Sequence, residues 1–202
     1  MREMEQALFP NFAVDMKEKY DIIVQPQHKG CEVSEWTGKD SQIPTGIEAY
    51  YLRANTGPRY LLGGVLSRPF ITTKQSDGKF AITSIESSSK YPVSVLNRPF
   101  MFHKVHQVYY LLDGSICVTV DDKPNDVRSG DTIFIPAGTK TSIKFTAKFV
   151  RFWSFASGDG LETLISQGGG QFEGTVVPDK ARKVDPRLVL EAAKSIGLEV
   201  AT

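Results

Sequence analysis

The residues best suited to proton transfer or metal binding are the three histidines, at positions 28, 103 and 106. A neutral imidazole can act as a general base on the acidic proton of a phenol or enol. On an extended strand His103 and His106 would point to opposite faces, so we expect them on a loop from which either can turn into a barrel mouth. Both are predicted catalytic residues, and the alternative is a pair of hydrogen-bonded loop histidines.

The strand that follows the histidines alternates in a way that predicts its inward face. If Gln107 points inward, Tyr109 and Leu111 do so too, because strand side chains repeat with a period of two. An amide and a phenol inside a barrel can orient a polar substrate or stabilise an oxyanion. Tyr109 is the third predicted catalytic residue, with the alternative that it is a core tyrosine whose hydroxyl is satisfied.

The elements that would position these groups are short strands. From residue 33 to 155, runs of β-branched and aromatic residues are separated by turn-forming sequences, as in all-β sandwiches and barrels. This predicts an all-β fold, a jelly-roll barrel. The candidate strands are residues 49–53, 60–66, 70–74, 80–87, 98–102, 107–112, 115–120, 132–135, 141–145 and 149–154.

Both ends of the chain are predicted to be helical. Asp185 and Pro186 are typical of a helix start, Gly197 of its end, and a strand is expected at 198–200. Residues 9–24 align without a gap on 185–200, which predicts a similar short helix near the N-terminus. A further short helix at 160–165 leads into Gly168-Gly169-Gly170, which we interpret as a flexible hinge.

Composition favours one globular domain with terminal appendages. The chain has 202 residues, 41% hydrophobic and 23% charged, with a net charge of +1. We divide it into an N-terminal helix and connecting segment (1–32), a barrel (33–175) and a C-terminal helix and strand (176–202). The absence of a basic stripe argues against nucleic acid, and no run of 18 apolar residues predicts a membrane span. A cytoplasmic protein is expected.

Two sequence blocks resemble the two motifs of the cupin family. The first is H-K-V-H-Q-V-Y-Y-L-L-D-G, ending at Gly114, and the second is G-D-T-I-F-I-P-A-G-T-K-T, beginning at Gly130. Gly130, Pro136 and Gly138 match the family spacing. The resemblance implies a double-stranded β-helix barrel of the cupin type.

The metal ligands of that family do not match this sequence. Its Glu position is Gln107 and its third His is Thr141. Its His-x-His pair falls on Phe100 and Phe102, or on Met101 and His103 with a shorter spacing. An amide and a hydroxyl are poor substitutes for carboxylate and imidazole, so the site is expected to be free of metal and to need no cofactor.

Replacing two ligand positions by Phe predicts a pocket for a flat apolar molecule. Arg151 alternates with Trp153 on the last strand and is expected to face outward. The predicted substrate-binding residues are Arg59, Tyr60, Phe100, Phe102, Gln107, Leu111, Thr141, Phe145 and Trp153.

A second resemblance covers most of residues 56–171. T-G-P-R-Y-L-L-G-G-V-L-S-R-P-F-I-T, F-V-R-F-W-S-F and L-I-S-Q-G-G-G are similar to the C-terminal, metal-poor half of fungal quercetin dioxygenases. The chain also resembles the small cupin-like cyclases of fungal polyketide pathways. This resemblance implies a metal-independent enzyme that closes a ring on, or isomerises, an aromatic polyketide or phenolic metabolite.

Two alternatives to this enzyme stay open, and so does its assembly. One is a metal-dependent dioxygenase that uses His103, His106 and either His28 or Gln107 as ligands. The other is a small-molecule-binding barrel without catalysis. A homodimer is expected, because half of a two-barrel protein would expose an apolar face.

Overall fold

The structure is a computed structural model that describes residues 37–200, and its architecture confirms the predicted all-β jelly roll. In this part of the chain, twelve strands form two antiparallel sheets. In chain order they are β1 (Tyr60–Leu62), β2 (Val65–Ile71), β3 (Ala81–Ser87), β4 (Phe100–Phe102), β5 (Gln107–Asp113), β6 (Ser115–Val120), β7 (Lys123–Arg128), β8 (Thr132–Ile135), β9 (Thr141–Phe145), β10 (Val150–Ala156), β11 (Gly170–Gln171) and β12 (Leu198–Val200).

The two sheets face each other across one apolar core. The seven-stranded sheet has the order β11-β1-β2-β3-β10-β5-β8, and the five-stranded sheet has the order β12-β4-β9-β6-β7. Alternate residues of β5, β9 and β10 are buried, which is the period-two pattern of a strand with one face in a core. Tyr109, Phe152 and Ile143 are among the largest fully buried side chains.

The strands differ from the prediction mainly at turns. The predicted strand 60–66 is a hairpin, because Gly63 adopts a left-handed φ of 62° and turns the chain from β1 into β2. Asp121 and Asp122 also have positive φ and make a tight turn, so residues 123–125, predicted as turn, begin β7. Residues 49–53 were predicted as a strand, and the structure assigns none there.

Within residues 37–200, two α-helices pack on the barrel. Helix α1 (Leu161–Gly168) is longer than predicted, and α2 (Pro186–Ser195) begins as predicted, with the Asp185 side chain accepting a hydrogen bond from the Arg187 N–H. After Gly197, β12 pairs with β4 and so joins the barrel. Short 3₁₀ helices lie at Gly38–Ser41 and Val95–Asn97.

Some predictions fall outside the part of the chain that the structure describes. These are the N-terminal helix and His28. Within residues 37–200, no helix has the length and apolar character needed to cross a membrane.

Candidate functional site

The structure brings the former ligand positions together inside the barrel. Phe100 pairs across the sheet with Thr141, and the Phe100 and Phe102 rings meet edge to face with centroids 6.1 Å apart. Gln107 on β5 is 2% exposed and Thr141 on β9 is also 2% exposed. Three further predicted site residues are buried in the same interior, namely Tyr109, Leu111 and Phe145. The predicted inward phase of Gln107, Tyr109 and Leu111 is confirmed.

The donors at these positions do not fit a metal ion. Phe100 and Phe102 offer no lone pair, which leaves one amide oxygen and one hydroxyl. The Thr141 hydroxyl lies 3.4 Å from the Thr139 carbonyl oxygen, and the Ser154 hydroxyl lies 3.4 Å from the Gln107 amide oxygen. Among residues 37–200 there is no group of three or more His, Cys, Asp or Glu side chains able to hold a metal.

The two histidines are exposed and neither ring turns toward this interior, so their catalytic roles stay predictions. His103 is exposed, with Nε2 3.3 Å from the carboxylate of Glu199. His106 is exposed and stacks on Phe134 at 5.9 Å, while its Nδ1 accepts a hydrogen bond of 3.1 Å from the Ala137 N–H. The loop directs both rings outward, so neither meets Tyr109.

Trp153 and Arg59 are also misplaced by the prediction. On β10 the buried residues are Val150, Phe152, Ser154 and Ala156, so Trp153 has the opposite phase and is 38% exposed on the outer face. Arg151 shares that face, as predicted. Arg59 is half-buried beside the same outer face, and its guanidinium bonds to the Asn55 carbonyl oxygen.

Two polar side chains, Gln107 and Tyr109, lie together in the barrel interior. The Gln107 Nε2 and the Tyr109 hydroxyl are buried and have no hydrogen-bond partner among the described residues. Burial raises the pKa of the Tyr109 phenol, and the negative charge of nearby Glu162 raises it further. Tyr109 is therefore held neutral at physiological pH. Its catalytic role stays a prediction.

Tyr109→Phe is expected to raise the free energy of unfolding by about 1 kcal/mol, because it removes a buried hydroxyl that has no partner and keeps the ring packed on Phe152. Urea unfolding measures this, with Tyr110→Phe on the opposite face of the same strand as the matched control. A loss of about 1 kcal/mol or more on the same scale would contradict the unpaired hydroxyl.

A large cleft opens beside α1, away from the former ligand positions. This cleft has a volume of about 970 Å³ and is lined by residues 41–45, residues 72–75 and one side of α1, with Tyr60 also in its wall. Eleven of its 21 lining residues are Ser, Thr or Gln. Such a lining suits a ligand that carries several hydroxyl groups.

Hydrogen bonds between separate segments hold the cleft walls together. Gln75 donates to the Pro44 carbonyl oxygen at 2.6 Å and accepts from the Thr72 hydroxyl at 2.7 Å. The Thr73 hydroxyl donates to Asp159 Oδ1 at 2.7 Å. The walls are thus tied both to each other and to the loop that begins α1.

Two carboxyl groups, Asp159 and Glu162, share one hydroxyl at the edge of the cleft. Thr163 Oγ1 lies 3.0 Å from Asp159 Oδ1 and 3.2 Å from Glu162 Oε1. Its single proton can bond to only one carboxyl at a time. Asp159 is half-buried, whereas Glu162 is 2% exposed. The two carboxyls therefore stand in different environments within reach of one ligand.

Burial raises the pKa of Glu162 above its ordinary value. The Gly160 N–H, which donates to Glu162 Oε1 at 2.8 Å, and the Thr163 hydroxyl oppose the rise, while the charge of Asp159 adds to it. A β-carbon on Gly160 would lie 3.0 Å from Glu162 Oε2 and 3.3 Å from Gln107 Nε2. The Glu162 carboxyl and the Gln107 amide therefore both lie beside Gly160.

The sequence prediction missed Glu162 and Asp159. The signal that was present is helical spacing: Glu162 precedes the buried Ile165 by three residues, which places both on one face of α1. A charged residue on the apolar face of a helix indicates a buried carboxyl.

Comparison with known proteins finds similarity to cupins in part of the barrel. Residues 90–147 match the family model described as Cupin domain. Over 161 residues, 79% of this chain, the sequence is 22% identical to a Quercetin 2,3-dioxygenase of Bacillus subtilis (strain 168). The match covers 46% of that protein, so the chain spans about half the length of the curated relative it matches.

Two solved structures align with about half of this chain. The cupin domain of Schizosaccharomyces pombe Cnp3 has 20% identity and a TM-score of 0.41, covering 51% of this chain and 71% of that one. A predicted oxalate decarboxylase from Thermotoga maritima has 15% identity and a TM-score of 0.42, covering 50% of this chain and 92% of that one.

Proposed function

We propose that this chain, which is similar to cupins over residues 90–147, is a metal-independent enzyme that moves protons on a small phenolic substrate, closing a ring or isomerising it, in the cleft beside α1. The observation that carries the proposal is the unequal carboxyl pair: a buried Glu162 with a raised pKa beside a more accessible Asp159. Two carboxyls in unlike environments can serve as acid and base in one reaction.

The substrate class rests on the cleft and on the relative. The relative's name concerns quercetin, a polyhydroxylated aromatic, and the Ser, Thr and Gln side chains of the cleft supply donors and acceptors for several hydroxyl groups. Phe100 and Phe102, at the former ligand positions, pack in the core and do not line the cleft. They therefore give no indication of which substrate the cleft binds. Tyr60 is the predicted substrate-binding residue that lines the cleft.

Ring closure by this pair is redox-neutral. Asp159 takes the proton of a phenol O–H, and the phenol oxygen forms a C–O bond to one carbon of a carbon–carbon double bond. The π electron pair of the double bond moves to the other carbon, which takes a proton from Glu162. One hydrogen moves from oxygen to carbon, and nothing is oxidised or reduced. Thr163, within hydrogen-bond distance of both carboxyls, provides a path that returns the proton from Asp159 to Glu162.

A panel of 2′-hydroxychalcones with added ring hydroxyl groups tests this proposal, because each molecule holds a phenol beside a conjugated double bond. We expect an isomer of unchanged mass, formed with EDTA and under nitrogen, with one enantiomer in excess on a chiral column. Racemic product at the uncatalysed rate from every member would contradict catalysis and favour a binding protein. Conversion of quercetin that needs oxygen and stops with EDTA would favour the metal-dependent dioxygenase.

A further inference from the structure

A second cavity lies on the outer face of the seven-stranded sheet, away from the cleft. This outer groove has a volume of about 360 Å³, and its wall includes Arg59, Arg68, Phe70, Glu86, Arg151 and Trp153. Strand pairing builds its floor in two neighbouring rows. In one row Glu86 lies between Leu66 and Arg151, and in the other Ser84 lies between Arg68 and Trp153.

The guanidinium of Arg68 is fixed in the outer groove. Its Nε donates to the Thr56 carbonyl oxygen at 2.7 Å and its Nη2 to the Arg53 carbonyl oxygen at 2.9 Å. The same group lies 5.3 Å from the centre of the Phe70 ring. An arginine held in one orientation loses little conformational entropy when it binds an anion.

Arg59 and Arg68 place two like charges beside this groove. Burial lowers the pKa of Arg68 and the charge of Arg59 lowers it further, while the negative charge of Glu86 opposes this lowering. Arg151 is neutralised separately, because its Nη2 lies 2.7 Å from Asp113 Oδ2. Among residues 37–200 no carboxylate oxygen lies within 4.0 Å of a nitrogen of Arg59 or Arg68, and the charge of Glu86 acts on both arginines from a greater distance.

An exposed aromatic ring borders the same charges. Trp153 is 38% exposed, and the Phe70 ring meets it edge-on with centroids 6.4 Å apart. Tyr110 and Phe155 support the indole at 6.3 Å each. A rigid aromatic beside fixed arginines offers one apolar and one cationic contact to the same small molecule.

We propose that the outer groove binds an aryl carboxylate, with the carboxylate between Arg59 and Arg68 and the ring against Trp153. The ligand relieves the repulsion between the two guanidiniums and covers the exposed indole. Planar guanidinium and carboxylate groups match in geometry, which selects a carboxylate over a neutral amide of the same shape. The cavity has room for a ligand of one or two rings.

Calorimetric titration with 2-naphthoate tests the site, with 2-naphthamide as its uncharged match. We expect naphthoate to bind at least tenfold more tightly than naphthamide, and Arg59→Gln to weaken naphthoate about tenfold. Trp153→Ala is expected to weaken both ligands. The matched control is Arg128→Gln, an exposed arginine outside the groove, which is expected to leave affinity unchanged.

The proposal would be overturned by no binding of naphthoate at millimolar concentration, by equal binding of naphthoate and naphthamide, or by equal affinities in the Arg59→Gln and Arg128→Gln variants. Competition by acetate at the same concentration as naphthoate would reduce the site to a simple anion site and overturn the aromatic part. Binding that is lost in Glu162→Gln would place naphthoate in the cleft and would also contradict it.

Discussion

Glu162→Gln is expected to lower the turnover of the phenolic substrate by about 10² to 10⁴-fold, the usual contribution of a positioned acid or base. The amide keeps the shape of the side chain and can still accept the hydrogen bond that Gly160 donates to Oε1. What it loses is the proton to be transferred. The measurement is the rate of ring closure under EDTA and nitrogen, with the exposed Glu173→Gln as the matched control.

Glu162→Gln is also expected to make the protein more stable than the wild type, by an amount that grows as the pH rises. The pKa of Glu162 is raised in the folded state. Its contribution to wild-type stability is therefore fully present below the unfolded pKa of about 4.3 and is lost as the pH rises through the folded pKa. The uncharged amide of the variant carries no such cost, and the difference between the two proteins should grow with pH. A variant that is slow only because it is misfolded would instead be less stable, which separates a catalytic from a structural effect.

Gly169→Ala is expected to lower the free energy of unfolding by about 4 kcal/mol, because the new methyl group would meet backbone atoms. A β-carbon at this position would lie 2.4 Å from the Leu61 carbonyl oxygen and 2.7 Å from the Ile165 carbonyl oxygen. The expectation that 168–170 is a flexible hinge is therefore wrong. Gly168 ends α1 against Val189, and Gly170 pairs with Leu61 of β1.

Gly46→Ala is the matched control for this substitution, since a β-carbon there meets no atom within 4 Å. Urea unfolding of the two variants gives the comparison. If Gly169→Ala cost less than about 1 kcal/mol, the segment would be free to move and the hinge would be restored. The result bears on function because α1, which carries Glu162, would then be loosely anchored.

The features that the sequence predicted well are set by local patterns. The alternation of Gln107, Tyr109 and Leu111 fixes their face, and Asp185 and Gly197 bound a helix by their own backbone preferences. The misplacement of Trp153 was avoidable by the same rule. Residues two apart share a face of a strand, so the outward assignment of Arg151 already required an outward Trp153.

The candidate site could not be predicted because it depends on contacts distant in sequence. Gln75 joins Pro44, Thr73 reaches Asp159 across 86 positions, and α1 packs against α2. No local pattern shows which loop closes over which helix. The directions of His103 and His106 could not be predicted for a related reason, because they depend on contacts with Glu199, Phe134 and Ala137.

The predicted homodimer stays a prediction, and sizing chromatography tests it. The outer groove lies on a sheet face that also carries the exposed Phe134. Addition of 2-naphthoate during the same run would show whether the groove is open in the assembled protein.

The central claim is that Glu162 holds a proton more tightly than an ordinary carboxyl group at the edge of the cleft. A ¹³C NMR titration of the side-chain carboxyl groups measures this without a substrate, and the Glu162→Gln spectrum assigns the resonance. We predict that this resonance, retained in Glu173→Gln, titrates with a midpoint above the ordinary glutamate value of about 4.3. A midpoint at or below that value would contradict the account.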